Sequence, residues 1–346
     1  MKDEYQRFCI VTSMAVAGCL LAVAILVAVV DPFFHYHKPL AGMAYTFNNQ
    51  NYVNPGIVKR FEYDALITGT SMTENFRPSV FQEMLGVKAV KVPFMGGKTK
   101  NFTILLETAI AANPDLKTVY MGLDLHMLDD SDPELPREPF PAYLYDRNPI
   151  NDVSYLLNKS VLILNVGQFL FRTMANEPAM TFDEYSYWQD QRTPGVFARS
   201  FRLGGTREIV SPPREELLSL ARAHIEGGLV PVIAANPQVE FVLFFSPYSI
   251  AYWYDRDTDD MLAVVQYAME TLLSYGNVRL FFPMNDAGII TDLNNYHDAG
   301  HYSADINDYL VECFANGTHQ VTRENYLEEL AKMRELLVGF DYEVFR

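Results

Sequence analysis

The sequence predicts an α/β protein built on a parallel sheet in three layers, flanked by helices. Two observations carry this expectation. From Tyr63 onward, short apolar runs of strand character alternate with longer runs of helical period. The same alternation returns near Glu215 after an irregular middle stretch and continues to the end of the chain. Alternating strands and helices bury a sheet on both faces, which favours parallel strands with crossover helices.

The elements follow in order. Asp-Ala-Leu-Ile-Thr-Gly, ending at Gly69, reads as a buried strand, followed by a helix beginning near Pro78, where proline suits a first turn. Lys88–Pro93 is a second strand and Thr99–Ala112 a helix, stopped by Ala-Asn-Pro at 112–114. Thr118–Leu125 is a third strand. Residues 128–210 hold prolines, aromatics and charges, including Ser-Tyr-Trp-Gln-Asp, without either period. They read as an insertion, either a cap over the sheet edge or surface helices with no role at a site. The rhythm then resumes with a helix over Glu215–Ile225, a strand over Val239–Phe245 and a helix over Asp257–Leu273. A strand over Asn277–Phe282 follows, and helices over Ala304–Phe314 and Glu324–Leu337 close the chain. There is no internal repeat.

Before this domain lies a different signal. Phe8–Val30 is 23 residues without a charge, and a bilayer core needs about 20. The run exceeds the roughly 7–15 apolar residues of a cleavable signal peptide, and Asp31-Pro32 ends it without a small-x-small site. Residues 1–7 are therefore expected in the cytoplasm, 8–30 as a retained transmembrane anchor, 31–62 as a polar connector and 63–346 as an extracytoplasmic domain. Lys2 and Arg7 precede the span and Lys38 is the first cation after it, so the positive-inside rule gives this orientation. Phe33, Phe34, His35, Tyr36 and His37 read as interfacial.

The net charge of −16 over 346 residues excludes a nucleic-acid partner, which needs a basic face, and electrostatic docking onto anionic lipid. It serves solubility or attracts a cationic substrate. Of three cysteines, Cys9 and Cys19 fall in the apolar run and Cys313 stands alone, read as a core residue. No disulfide, cysteine metal site or cofactor is implied.

Ligands of open parallel sheets sit beyond the carboxyl ends of the strands. There the chain places Gly-Thr-Ser at 69–71, Gly96-Gly97, Gly122-Leu123-Asp124, and His-Asp-Ala-Gly-His at 297–301. Ser71 at a tight turn needs a base, which His301 can supply. Asp298, three residues earlier, can hold the imidazole in the right tautomer. Backbone N–H groups of Ser71 and Gly97, with Gly96 beside it, could stabilise an oxyanion. Each piece alone has a plainer reading: an N-cap turn, a surface Asp-x-x-His, a pair of loop glycines. Their order at successive strand ends favours catalysis.

These residues resemble the SGNH (GDSL-like) hydrolase superfamily. Gly-Thr-Ser 69–71 stands where that family has Gly-Asp-Ser, Gly96-Gly97 where it has its second-block glycine, and Asp298-Ala-Gly-His301 where it has its closing Asp-x-x-His. The resemblance covers roughly 63–126 and 236–316 and implies a flavodoxin-like fold. It departs at Asp124, where the family has an oxyanion-donating Asn; an ionised carboxylate cannot donate. The layout is similar to a membrane-tethered branch that includes alginate-type O-acetyltransferases and teichoic-acid D-alanylation proteins. That resemblance implies a partner, a polytopic membrane-bound O-acyltransferase, and a cell-surface glycan or wall polymer as acceptor. An esterase and a catalytically inactive scaffold are the alternatives.

Further residues are open to two readings each. His126 follows the third strand and either lies near the site or makes a structural hydrogen bond. Tyr248 and Trp253, in the stretch after the fourth strand, either line an acceptor groove or pack the core. His297 and His301, at i and i+4, with Asp298 between them, could also be metal ligands, but no partner motif supplies the further ligand that zinc needs, so no metal is expected.

Overall fold

The computed structural model describes residues 2–133, 135–146, 148–189, 193, 195–204, 209 and 212–346. Its helices, in chain order, are α1 (Lys2–Val30), α2 (Gln50–Arg60), α3 (Pro78–Leu85), α4 (Thr99–Ala112), α5 (Leu125–Leu128), α6 (Val153–Leu156) and α7 (Gly167–Met174). They continue with α8 (Val196–Ser200), α9 (Arg214–His224), α10 (Val230–Ala235), α11 (Thr258–Leu272), α12 (Ala287–Ile290), α13 (Ala304–Asn316) and α14 (Tyr326–Gly339). The strands are β1 (Ala65–Thr68), β2 (Ala89–Lys91), β3 (Thr118–Leu123), β4 (Glu240–Phe245), β5 (Val278–Phe281) and β6 (Gln320–Val321).

Two compact units emerge. One comprises Met1–Phe61 and Pro139–Thr181, the other Glu62–Glu138 and Phe182–Arg346.

The second unit carries a six-stranded sheet in the order β2-β1-β3-β4-β5-β6. Five strands are parallel and β6 runs antiparallel to β5. The first five have the 2-1-3-4-5 order of a doubly wound sheet, whose crevice lies at the carboxyl ends of the strands where the order reverses. Here that point falls between β1 and β3. The strands read as near-continuous apolar runs because helices flank the sheet: Ala65, Leu66 and Ile67 of β1 and Val242, Phe244 and Phe245 of β4 are buried. The five parallel strands fall where the alternation places them. β6 is an addition to that pattern, since two residues carry no period. Arg214–Ala235 forms one helical run, α9 and α10 joined by a π-helical segment, long and apolar enough to cross a membrane. Its Leu217, Ala221, Ile225 and Ile233 are instead packed within this unit. Cys313 is buried, as expected of a core residue.

The first unit departs from the expected connector. Residues 31–61 contain α2, whose Val53, Ile57 and Val58 are buried despite Asn54-Pro55-Gly56 within the helix. A side chain at Gly56 would meet the Phe33 carbonyl oxygen at 1.8 Å, so glycine is what lets α2 lie against that backbone. Phe33 and Phe34 are buried, not interfacial, and Phe34 meets Tyr45, Phe47 and Phe61 edge-on. The stretch 128–210, expected as one insertion, is divided: 139–181 group with the N-terminal residues, while 128–138 and 182–210 belong with the sheet. Positions 134, 147, 190–192, 194, 205–208 and 210 of that stretch lie outside the described residues.

α1 is long and apolar enough to cross a membrane, with a mean hydropathy of 2.7.

Candidate active site

β1 ends at Thr68, and Gly69-Thr70 turn the chain into a 3-10 turn over Ser71–Thr73. Gly69 has φ +146°, and a side chain there would meet Thr73 Cγ2 at 2.5 Å and the Gly122 amide nitrogen at 3.2 Å. Only glycine allows β1 and β3 to approach this closely at the turn. From α13, Asn307 Nδ2 donates to the Met72 carbonyl at 3.0 Å and fixes the turn from the far side.

Ser71 Oγ lies 2.8 Å from His301 Nε2. His301 Nδ1 lies 2.8 Å from Asp298 Oδ2 and 3.0 Å from Oδ1. Asp298 Oδ1 also accepts the backbone N–H groups of Gly300, at 2.9 Å, and His301, at 2.8 Å. A carboxylate only accepts, so Nδ1 carries the hydrogen and Nε2 turns its lone pair to the serine hydroxyl. Burial alone would raise the Asp298 carboxyl. The hydrogen bond from the His301 ring outweighs it, together with the two backbone donors and the electrostatic pull of that ring, and holds the group well below the usual carboxylate range.

The loop carrying Asp298 and His301 is closed by an antiparallel bridge between Tyr296 and Tyr302. The His297 N–H donates to the His301 carbonyl at 2.8 Å and the Ser303 N–H to the Asn295 carbonyl at 2.7 Å. From the segment after β4, buried Ser249 grips the Ala299 carbonyl with its N–H, at 3.2 Å, and its hydroxyl, at 2.7 Å. Tyr296 donates to the Pro247 carbonyl at 2.7 Å.

The expected oxyanion donors divide. Among the described residues no acceptor takes the Ser71 N–H. The Gly97 N–H donates to the Phe94 carbonyl at 2.8 Å and is therefore spent; this corrects the expectation for Gly97. Gly97 is small for packing reasons, since a side chain there would meet Phe94 Cβ at 2.6 Å and Phe102 Cζ at 2.9 Å. Gly96, with φ +59°, makes the turn that leads into it.

Asp124 is fully buried and accepts from two hydroxyls, Thr70 Oγ1 and Tyr248 at 3.0 Å. Its place is behind Ser71, bracing the residue before it. Tyr248 is buried with its hydroxyl spent on Asp124, and its ring stacks on Tyr252 at 4.2 Å. Burial, reinforced by the Asp124 charge, pushes its phenol well above the usual range. Trp253 is fully buried. Neither can line an open acceptor groove, and the core-packing reading holds for both. His126 is exposed on α5, and no hydrogen bond joins it to Ser71, Asp298 or His301 among the described residues.

The other tryptophan is the aromatic at the site. The Trp188 ring stands edge-on to His301 at 5.8 Å and to His297 at 5.1 Å. Its segment is clamped: Asn75 Oδ1 accepts the N–H groups of Trp188, at 3.1 Å, and Gln189, at 3.2 Å. Gln189 Oε1 in turn accepts from the Ala304 N–H at 3.0 Å and bonds His297 Nε2 at 3.1 Å. Asn75 is held in place by the fully buried Lys91 of β2, whose Nζ donates to the carbonyls on either side, Glu74 at 2.5 Å and Phe76 at 2.8 Å. Burial brings the Lys91 ammonium down to about 7 against the pull of Asp183 and Glu74. The signal for Trp188 is a tryptophan in a polar setting, Ser-Tyr-Trp-Gln-Asp. It lies in a stretch without period, where no strand end points to it.

The chain matches no family model, and no curated protein matches it. It is similar in structure to a Streptococcus pneumonia protein provisionally called a platelet activating factor. The identity is 14%, the TM-score 0.39, and the match covers 78% of this chain and 90% of that one.

Proposed function

We propose that the chain is an SGNH-type acyltransferase in which Ser71 is the nucleophile, His301 the general base and Asp298 the group that orients it. The observation that carries this reading is the relay itself: a serine hydroxyl 2.8 Å from one imidazole nitrogen and a carboxylate 2.8 Å from the other. Ser71 attacks the acyl carbonyl while His301 Nε2 takes its proton, and the Ser71 N–H faces the developing oxyanion. The imidazolium returns the proton to the leaving group. An acceptor hydroxyl, deprotonated by the same nitrogen, then attacks the acyl carbonyl; the acyl–Oγ bond breaks and the imidazolium returns its proton to Ser71.

The order Ser71, Asp298, His301 along the chain and the 2-1-3-4-5 strand order support the superfamily assignment. Thr70 in place of an acid and Asp124 in place of an asparagine are its departures. Asp124 has a bracing role in this reading, and backbone donors serve the oxyanion. The N-terminal apolar helix supports an anchored enzyme with its catalytic domain outside the cell membrane. A polytopic O-acyltransferase would then hand over the acyl group, and a glycan or wall polymer would receive it.

The test is turnover of an activated acetyl ester by the purified chain, with and without a polyol acceptor. Acylated acceptor formed at the expense of hydrolysis supports transfer. Ester cleavage indifferent to acceptor makes the protein an esterase, and turnover in neither condition makes it a scaffold.

A further inference from the structure

In the first unit, apolar side chains left outside the core gather on one helix. The π-helical turn Val161–Val166 continues directly into α7. One face of this run is packed: Val161, Val166 and Phe169 are buried, Thr173 Oγ1 accepts the Ala44 N–H at 3.0 Å, and Gln168 bonds Asn48 at 2.6 Å. The opposite face carries Ile163, Leu164, Leu170, Phe171 and Met174, all exposed, Phe171 by 70% and Met174 by 84%. Ile163 and Leu170, and Leu164 and Phe171, lie seven residues apart, and Met174 follows one turn after Leu170 and Phe171, so the five share one side of the helix. A contiguous apolar stripe of this kind marks an interaction surface.

Its neighbour says what covers it. α1 packs against α6 and against Val161–Val166 with its C-terminal end, where Val27 and Val30 are buried. Leu21, Ile25, Leu26 and Val29 of α1 remain exposed beside this junction. The 23 uncharged residues of α1 rise about 34 Å, matching a hydrocarbon core of about 30 Å. Val27–Val30 therefore fall at the boundary between acyl chains and headgroups, and the helix packed on them lies at that depth.

Hydrogen bonds tie the end of α1 to the segment just before this helical run. Buried Asp31, one residue past α1, accepts the N–H groups of His35, Tyr36 and His37 and the hydroxyl of Tyr155, the last at 2.8 Å. Asp152 bonds the His35 ring at 3.1 Å and accepts from the Tyr36 hydroxyl at 3.0 Å. The end of the span and the segment leading to Val161–Met174 are thus hydrogen-bonded to each other.

We infer that Val161–Met174 is a second membrane contact, an interfacial helix that lays Ile163, Leu164, Leu170, Phe171 and Met174 into the bilayer surface beside α1. The inference rests on reading α1 as a span. With a chain charge of −16 the attraction is apolar burial, not headgroup charge.

The test uses the full chain in phosphatidylcholine vesicles with no other protein. Cys9 and Cys19 are changed to serine, and a nitroxide is placed on a single introduced cysteine at Leu21, Phe171, Met174 or Lys332, the last exposed on α14. Collision with dissolved oxygen is compared with collision with a water-soluble nickel chelate. The oxygen-to-nickel ratio at 171 and 174 should be roughly tenfold above that at 332 and approach that at 21, as burial below the headgroups requires. Adding phosphatidylglycerol should leave it unchanged. Water-like values at 171 and 174 with a lipid-like value at 21 would overturn the inference while the span stands. A water-like value at 21 as well would remove the span and the inference together. Shielding of 171 and 174 from both reagents would point to a second copy of the chain and overturn the lipid contact, as would lipid-like values seen only with phosphatidylglycerol.

Discussion

Thr70 donates its hydroxyl hydrogen bond to Asp124, so the residue directly before Ser71 is braced by a buried carboxylate that also holds Tyr248. Asp124→Ala leaves two buried hydroxyls without their acceptor, each costing about 1–3 kcal/mol. Asp124→Asn keeps one acceptor oxygen, and the second hydroxyl can rotate to accept from the new amide. Thermal unfolding should therefore show a clearly lower Tm for Asp124→Ala and a small change for Asp124→Asn. Turnover should follow the same order. If Asp124→Asn were instead the inactive variant with its Tm intact, Asp124 would take part in the chemistry.

Asp298→Asn keeps the loop but lets the imidazole adopt the wrong tautomer, and kcat should fall on the order of 10³–10⁴-fold. The same change has a pH signature. The Asp298 carboxyl is depressed in the folded chain. Below its ordinary value of 3.8 the unfolded chain therefore binds the proton first, and stability falls as pH drops through that window. Denaturant titrations at a series of pH values should show the wild type losing more stability than Asp298→Asn below about pH 4. The effect is moderate, because this side chain is 46% exposed and solvent screens it.

Lys91 has the same sign at the other end of the scale. Its folded value of about 7 lies below the ordinary 10.5, so the unfolded chain holds more protons between the two. Stability contributed by this group should rise with pH across that interval, by a few kcal/mol at most. Lys91→Met should flatten the rise. A wild-type curve already flat between about pH 7 and pH 10 would mean that the ammonium stays charged in its pocket.

Trp188→Ala removes the ring beside His301 and His297 while the Asn75 clamp remains. We expect kcat/KM to drop roughly tenfold, the size of effect that follows when one well-packed ring no longer steadies the base, with Tm nearly unchanged. Trp253→Ala should do the reverse, with a large loss of stability of about 3–5 kcal/mol from the buried cavity. Equal loss of turnover at unchanged Tm in both would contradict the placement of the two tryptophans.

The contrast between those tryptophans shows what the sequence makes legible. Ser71, Asp298 and His301 are visible because parallel strands deliver their carboxyl-end residues to one edge, and strands are found by period. Trp253 follows β4 and so invites the same inference, but the chain after β4 turns it inward. Trp188 reaches the site from a stretch with no period, held by long-range bonds to Asn75 that spacing cannot reveal. Gly97 suggests a backbone N–H donor, yet its smallness answers to Phe94 and Phe102. Within 31–62, Asn54-Pro55-Gly56 speaks against a helix locally. The packing of Val53, Ile57 and Val58 overrides that preference, as burial commonly does for marginal helices.

In the proposed mechanism His301 makes the Ser71 hydroxyl nucleophilic. Labelling with a fluorophosphonate, read by intact mass and peptide mapping, reports on that reactivity. One adduct is expected, on Ser71, absent in Ser71→Ala and formed at least roughly a hundredfold more slowly in His301→Ala, as loss of a general base entails. An adduct on another residue, or labelling of Ser71 at the same rate without His301, would contradict it.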